Sequence, residues 1–438
     1  MKAIKILGLL LIHSILIFQT SNAQSDPEAI AAIERAQTRI DNIVNQSDIR
    51  GATATYYWGG EEFVTITSGV KKAGVSVEAE GKFMLRSFTK LLVSTIILQL
   101  QEEGSLSIDD EIGSYLNSIN NVDSTITIRE LLSMRANVCD FMSPSWEFLS
   151  QTNPAADLNP VAILNSLIPD GTCNTSNDYE YNDTNFQLLG LIIESVTGNS
   201  GESEFENRLF SHLEEHSLAL APIDLPEDEL NGTWSIVGGN ITDVGAASKN
   251  SVLTAHKFNG GVVGTTEDAL RMLIEIMEGD ILTKESLELM TDIDSNGYGF
   301  GMMNRLLEGD EVFGHGGSGL HLSRTFYNPE LKIGLSLAVN YSINQQNNAE
   351  KFLLNNYLEM KTCRENGGCD GRSFYQKKSE WQSIVDETWG NTIPLSEKQS
   401  VFNTYADFAD EYFTLFAESD FDWDSLRTVY FDRITSDL

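Results

Sequence analysis

The sequence predicts an α/β protein. An antiparallel sheet flanked by helices is built from both termini, a mostly helical lobe is inserted between them, and a helical C-terminal extension follows. Three observations carry this. From Gly51, Ala52, Ala54, Tyr56 and Trp58 fall on one face, and after Gly59-Gly60 the alternation resumes at Val64 and Ile66, the period of a β-hairpin. Far along the chain, Thr325–Tyr327 and Ile333–Val339 read as two strands joined by a turn at Asn328-Pro329. The text between is dominated by helical spacing.

The elements follow in order. Lys2 and Lys5 precede an apolar run, Ile6 to Phe18, that ends near Ser21-Asn22-Ala23. A charged start, a short apolar centre and a small-x-small end read as a cleaved secretory signal. The run is shorter than the roughly 20 residues a spanning helix needs. The expectation is a periplasmic or secreted protein with no integral membrane segment after cleavage. Ser87 opens a helix with Leu91, Leu92, Ile96, Ile97 and Leu100 inside and Gly104 at its stop. Further helices are expected at about Asn185–Val196, Glu267–Met277 and Ala349–Met360. In the extension, Ser396-Glu397-Lys398-Gln399 is a capping box. Phe402, Tyr405, Phe408, Tyr412, Phe413 and Phe416 then recur at helical spacing, a stripe suited to a core or to docking a partner. The predicted organisation is a signal at 1–23, a main domain at 24–362, and a cysteine loop with helical extension at 363–438.

Composition narrows the function. The chain has 438 residues and a net charge of −35, the reverse of the basic footprint that nucleic-acid binding requires. With 41% hydrophobic residues it can build an ordinary core, which excludes disorder. Six His and four Cys argue against a multi-metal or cysteine-knot protein. Export permits disulfides. Cys363 and Cys369 bracket a flexible Arg-Glu-Asn-Gly-Gly and are expected to pair, leaving Cys139 and Cys173 as the second pair, although two other pairings fit the sequence.

Ser87-Phe88-Thr89-Lys90 is a Ser-x-x-Lys at a helix start, where i and i+3 share a face and the lysine amine can reach the serine hydroxyl, although on this motif alone Ser87 as an N-cap with Lys90 exposed is the better reading. Ser68-Gly69-Val70-Lys71 has the same spacing, but it sits at a strand end running into a glycine turn. His212-Leu213-Glu214-Glu215-His216 matches a zinc-protease spacing by chance in a Glu-rich chain, and Asp420, Asp422 and Asp424 lack the Gly and Glu of a calcium loop. No metal and no cofactor are expected.

Two further elements join Ser87 and Lys90: Tyr181-Asn182-Asp183 before a helix, and His315-Gly316-Gly317 ahead of Ser318-Gly319. In this order and at these separations the set resembles the serine β-lactamase/penicillin-binding-protein-like superfamily, closest to the branch of class C β-lactamases and their esterase and peptidase relatives. Supporting text covers most of residues 30–360, including Ile126 to Leu132, Asn259 to Asp268 and Tyr298-Gly299-Phe300-Gly301. The resemblance implies a β-lactamase/transpeptidase-like fold and covalent acyl transfer. Ser87 attacks a carbonyl, Lys90 and Tyr181 share base and acid work, and His315 joins the catalytic set. Asp183, Gly316, Gly317 and Ser318 contact substrate, with the oxyanion between the N–H groups of Ser87 and Ser318.

The departures bear on substrate. Many relatives have Tyr-x-Asn, whereas Asp183 is acceptor-only when ionised and would hold Lys90 as an ammonium, passing more of the base role to Tyr181. Relatives that bind penicillins often have Lys-Thr-Gly where His315-Gly316-Gly317 stands, and a neutral His holds a carboxylate less firmly. Where a His-Thr-Ser-Gly turn is common, this chain has Met134-Arg135-Ala136-Asn137, with Cys139 near enough to brace a changed loop. These changes favour a serine esterase, peptidase or amidase acting on a small ester, peptide or amide. The rivals are a β-lactamase or D-Ala-D-Ala carboxypeptidase, and a non-catalytic sensor or binding protein using the same pocket.

Overall fold

The computed structural model describes residues 27–60, 63–142, 158–170, 173–174, 176–223, 229–237, 240–244 and 249–365. The chain divides into two units at Arg372/Ser373, and everything described belongs to the first. The signal run, Cys369, the capping box and the aromatic stripe lie outside the described residues.

Twelve strands are present among the described residues. β1 (Gly51–Tyr57), β2 (Phe63–Lys72), β3 (Val75–Ser76) and β4 (Phe83–Met84) come early. β5 (Ala219–Leu220), β6 (Trp234–Val237), β7 (Asn240–Asp243) and β8 (Val262–Gly264) lie in the middle. β9 (Met303–Leu307), β10 (Asp310–Ser318), β11 (Leu322–Asn328) and β12 (Ile333–Val339) close the set. The main sheet runs β3-β2-β1-β12-β11-β10-β9 and is antiparallel throughout. Strands from the two ends therefore meet at its centre, with helices and two small sheets, β4-β8-β5 and β6-β7, between them in sequence.

Register makes both faces useful. Ala52, Ala54 and Tyr56 lie opposite Val339, Leu337 and Leu335. That face packs on Ala36 and Ile40 of α1 (Pro27–Asn45) and on the far helix near Phe352 and Tyr357. The other face carries Thr53 and Thr55, and Thr55 Oγ1 lies 2.8 Å from Thr266 Oγ1. Helix α1 was not anticipated, although Ala32, Ala36 and Ile40 repeat every four residues.

The helix α2 (Phe88–Glu102) is buried on nearly every side, from Phe88 through Leu98. An apolar helix with no wet face must sit inside the protein, and it packs against α3 (Asp183–Thr197) and β10. Helices α4 (Thr266–Glu278) and α5 (Gln346–Glu365) pack against β12. The expected boundary at residue 362 falls inside α5, which continues to Glu365.

His315-Gly316-Gly317 forms part of strand β10. Glycine has poor strand propensity, so local pattern hides this strand; its ladder with β11, His315↔Thr325 through Ser318↔Leu322, supplies the order. The outermost strand is β9, yet its pairing with β10 stops at Gly314↔Met303. Residues 315–318 therefore present a local free edge.

Candidate active site

The sequence before Ser87 forms a sharp approach. β4 pairs with β8, and Leu85 N–H donates to Val262 O at 2.9 Å. Arg86 then takes φ +54°, the left-handed region, which costs a non-glycine residue roughly 1–2 kcal/mol. Ser87 occupies the N-cap position of α2, but its side chain makes no cap hydrogen bond. The hydroxyl is thereby left for Lys90.

Lys90 is fully buried. Its Nζ donates to Ser87 Oγ at 2.9 Å, Asp183 Oδ1 at 2.6 Å and Asn259 O at 2.9 Å. Burial lowers the lysine pKa, but the charges and hydrogen bonds of Asp183 and Tyr181 together more than offset it and the net shift is upward. Burial likewise pushes Asp183 up, but the Lys90 ammonium, with help from His256 and Asn259, outweighs it and holds the carboxyl down at about 2. Both groups are charged at neutral pH.

Asp183 is the first residue of α3, where the helix dipole favours an anion. Asn182 caps that helix, accepting from Thr184 N–H at 2.8 Å, while its amide donates to Val138 O at 2.7 Å. Tyr181 stands just outside. The residue is 36% exposed at the rim, its ring centroid lies 4.9 Å from Lys90 Nζ, and Lys90 and Ser87 act on its hydroxyl to lower its pKa. Burial dominates its titration and raises the phenol above its ordinary value, so Tyr181 rests as a neutral phenol.

His315 lies fully buried beside this group, its ring 6.3 Å from Tyr181 and 5.9 Å from Tyr298. Its Nδ1 donates to Gly316 O at 2.5 Å, which leaves Nε2 an acceptor, buried and without a partner. Burial lowers its pKa to about 3, so it is neutral. At Gly317 a Cβ would lie 2.3 Å from Leu85 O and 2.7 Å from Arg86 Cβ. Strand β10 therefore passes in backbone contact with the turn that carries Ser87, and Ser318 follows, exposed.

The rim departs from a simple turn. Met134 adopts φ +59°, Arg135 pairs with Asp294 at 2.5 Å, and Cys139 is bridged to Cys173 with Cα atoms 5.0 Å apart. Cys139 O accepts from Thr184 Oγ1 at 2.9 Å, so the bridged loop is tied to the start of α3.

The structure brings together Ser87, Lys90, Tyr181, Asp183, His315, Gly316, Gly317 and Ser318. It separates the decoys: Ser68 bonds Asp41 at 2.6 Å and Lys71 pairs with Glu78 at 2.8 Å. His216 faces Glu206 at 3.4 Å, and among the described residues no three His, Cys, Asp or Glu groups converge as a metal site. Sequence reasoning missed four neighbours. Asn259 offers its carbonyl to Lys90, and buried His256, pKa lowered to about 3 chiefly by desolvation, bonds the Asn259 amide at 2.8 Å. Asp140 accepts from Asp183 N–H at 3.3 Å, and Arg86 lies against Gly319. Only Asp140, beside a cysteine on the rim, carried a usable signal.

The beta-lactamase family model matches residues 36–358. The chain belongs to the beta-lactamase family. Among curated relatives, this beta-lactamase-family chain is 26% identical over 173 residues to Protein flp of Staphylococcus aureus (strain NCTC 8325 / PS 47). That match covers 38% of this chain and 34% of the relative, so it spans about a third of that protein's length. Solved structures share the fold. A D-stereospecific amidohydrolase from Streptomyces sp. is 24% identical with a TM-score of 0.61, over 71% of this chain and 94% of the other. The D-amino acid amidase from Ochrobactrum anthropi SV3 is 20% identical with a TM-score of 0.66, over 76% and 99%.

Proposed function

We propose that the chain is an exported serine hydrolase that forms an acyl-enzyme on Ser87 and acts on small ester, peptide or amide substrates. The observation that carries this is the Lys90 amine, held 2.9 Å from Ser87 Oγ and 2.6 Å from Asp183.

A serine hydroxyl attacks only when something takes its proton. Lys90 is already an ammonium with all three N–H groups engaged, and Tyr181 is a neutral phenol. The base is therefore the ion pair acting as a relay. As Ser87 Oγ bonds the carbonyl carbon, its proton passes to Lys90 and Lys90 gives one to Asp183. The oxyanion lies at the N–H groups of Ser87 and Ser318. Tyr181 protonates the leaving group as the tetrahedral intermediate collapses, and the proton held by Asp183 returns through Lys90 to the phenolate. Water then reverses the path and frees the acid. The larger base share expected for Tyr181 from sequence finds no support in its raised pKa.

Amides and esters are favoured as substrates because the position of the penicillin-binding lysine holds a neutral His315, and because solved neighbours include a D-amino acid amidase. A secretory signal at residues 1–23 supports export. The extension beyond residue 363, with its aromatic stripe, is assigned to partner docking.

Fluorophosphonate labelling with hydrolysis of nitrophenyl esters, D-amino acid amides and a chromogenic cephalosporin tests the reading. Labelling and turnover that vanish in Ser87→Ala support it. Labelling without turnover of any substrate identifies a sensor instead, and turnover of the cephalosporin alone identifies a β-lactamase.

A further inference from the structure

Arg86 immediately precedes the nucleophile and is 6% exposed. Its one hydrogen bond among the described residues is a long one, Nε to Ser318 O at 3.5 Å, and Nη1 is buried with no partner. No carboxylate pairs with it among the described residues. A buried guanidinium in this condition is costly unless a counter-charge arrives. The nearest anion, Asp183, acts on it only through space, because its carboxylate is paired directly with Lys90, and both His256 and His315 are neutral. A glycine would hold the left-handed backbone of residue 86 without strain, yet an arginine occupies it.

Its place on the strand says which part of a substrate it meets. Tyr181, the donor to the leaving group, lies at the His315 end of the free edge. The edge then runs about 10 Å to Ser318. Beyond it, at exposed Gly319, a Cβ would sit 2.4 Å from Arg86 Nε and 3.0 Å from Nη2. The leaving group and Arg86 are at opposite ends, so Arg86 flanks the acyl portion.

We infer that Arg86 is an anion-recognition residue for the acyl side of the substrate, pairing with a carboxylate that the acyl chain carries past Ser318 and Gly319. The inference rests on the acyl-transfer reading and names its substrate class, acyl donors with an acidic acyl group. Lys90 is closed off by Asp183, and a chain of net charge −35 otherwise repels anions.

Two esters with the same nitrophenol leaving group isolate this effect: 4-nitrophenyl hydrogen glutarate, and its uncharged methyl ester. Wild type is expected to show at least tenfold higher kcat/KM on the acid, and in Arg86→Gln that ratio falls to about one or below. A wild-type ratio of one, or a ratio that Arg86→Gln leaves unchanged, overturns the inference; so does an equal loss on both esters, which marks a role in the oxyanion site or the fold. Glutarate titrated calorimetrically into Ser87→Ala gives a readout without turnover, with at least tenfold weaker binding expected once Arg86→Gln is added. Arg86-dependent glutarate binding in a protein that turns over no ester, amide or cephalosporin would sink the hydrolase reading and with it the acyl-side assignment, leaving Arg86 as an anion-binding residue only, whereas binding indifferent to Arg86 overturns the inference itself.

Discussion

Lys90 Nζ and Asp183 Oδ1 lie 2.6 Å apart, and the same amine is 2.9 Å from Ser87 Oγ. The carboxylate fixes the lysine as an ammonium, which makes proton movement at the nucleophile a property of the pair.

Replacing Asp183 by Asn removes the relay's acceptor and the charge that holds the Lys90 pKa up. Burial then dominates and lowers it. In wild type the carboxyl at about 2 and the raised lysine leave a broad plateau of kcat/KM. Asp183→Asn is expected to lose about 10²-fold or more at pH 6 and to climb with pH until Lys90 is neutral. A flat profile in the variant would exclude the relay.

Asp140 gives a signed pH effect on stability. Burial, then the Asp183 charge, pushes its carboxyl up to about 6. The folded state thus holds this proton more tightly than the unfolded chain, whose aspartates titrate near 4. The associated stability is complete below about pH 4 and is lost as pH rises through about 6, on the order of 2 kcal/mol. Urea unfolding at pH 4 and pH 7 should show wild type losing that much more than Asp140→Asn between the two.

Gly317→Ala tests the spacing of strand and nucleophile turn. A methyl 2.3 Å from Leu85 O cannot be accommodated unless β10 retreats. Donors of an oxyanion site act only at hydrogen-bond distance, so kcat is expected to fall about 10²-fold. Steady-state kinetics on a nitrophenyl ester, with a melting curve to verify folding, check this.

The Cys139–Cys173 bridge joins two cysteines 34 positions apart in sequence. Converting both cysteines to serine should cost roughly 3–4 kcal/mol in denaturant unfolding. The loop also anchors Asn182 through Val138 O and Thr184 through Cys139 O, so kcat/KM should fall as well. Full activity in a destabilised variant would show that the loop braces the fold alone.

Much of this was legible beforehand, for identifiable reasons. Ala52, Ala54 and Tyr56 announce β1 because one side of the sheet is apolar, and the all-round apolarity of Phe88–Leu98 announces a buried helix. Ser87 and Lys90 were legible as an i, i+3 pair at a helix start, whereas Tyr181 and Asp183 joined them only through the resemblance to the serine β-lactamase/penicillin-binding-protein-like superfamily. The strand around His315 is hard to read locally because Gly314, Gly316 and Gly317 erase alternation, and pairing with distant β11 is what orders the segment. Asn259 contributes a main-chain carbonyl, and no side-chain pattern reveals one. Arg86 was overlooked because a single arginine in an apolar stretch shows neither its burial nor its want of a counter-ion.

The order β3-β2-β1-β12-β11-β10-β9 also has a meaning in time. During synthesis the serine and its lysine leave the ribosome more than 200 residues before the strand that would cradle the oxyanion, and β1 waits for β12 even longer. A nascent or interrupted chain would thus carry the proposed nucleophile without the strand proposed to stabilise its reaction. On the proposed mechanism, reactivity is expected to switch on only when the last strands dock, so that the topology keeps unfinished polypeptide chemically silent.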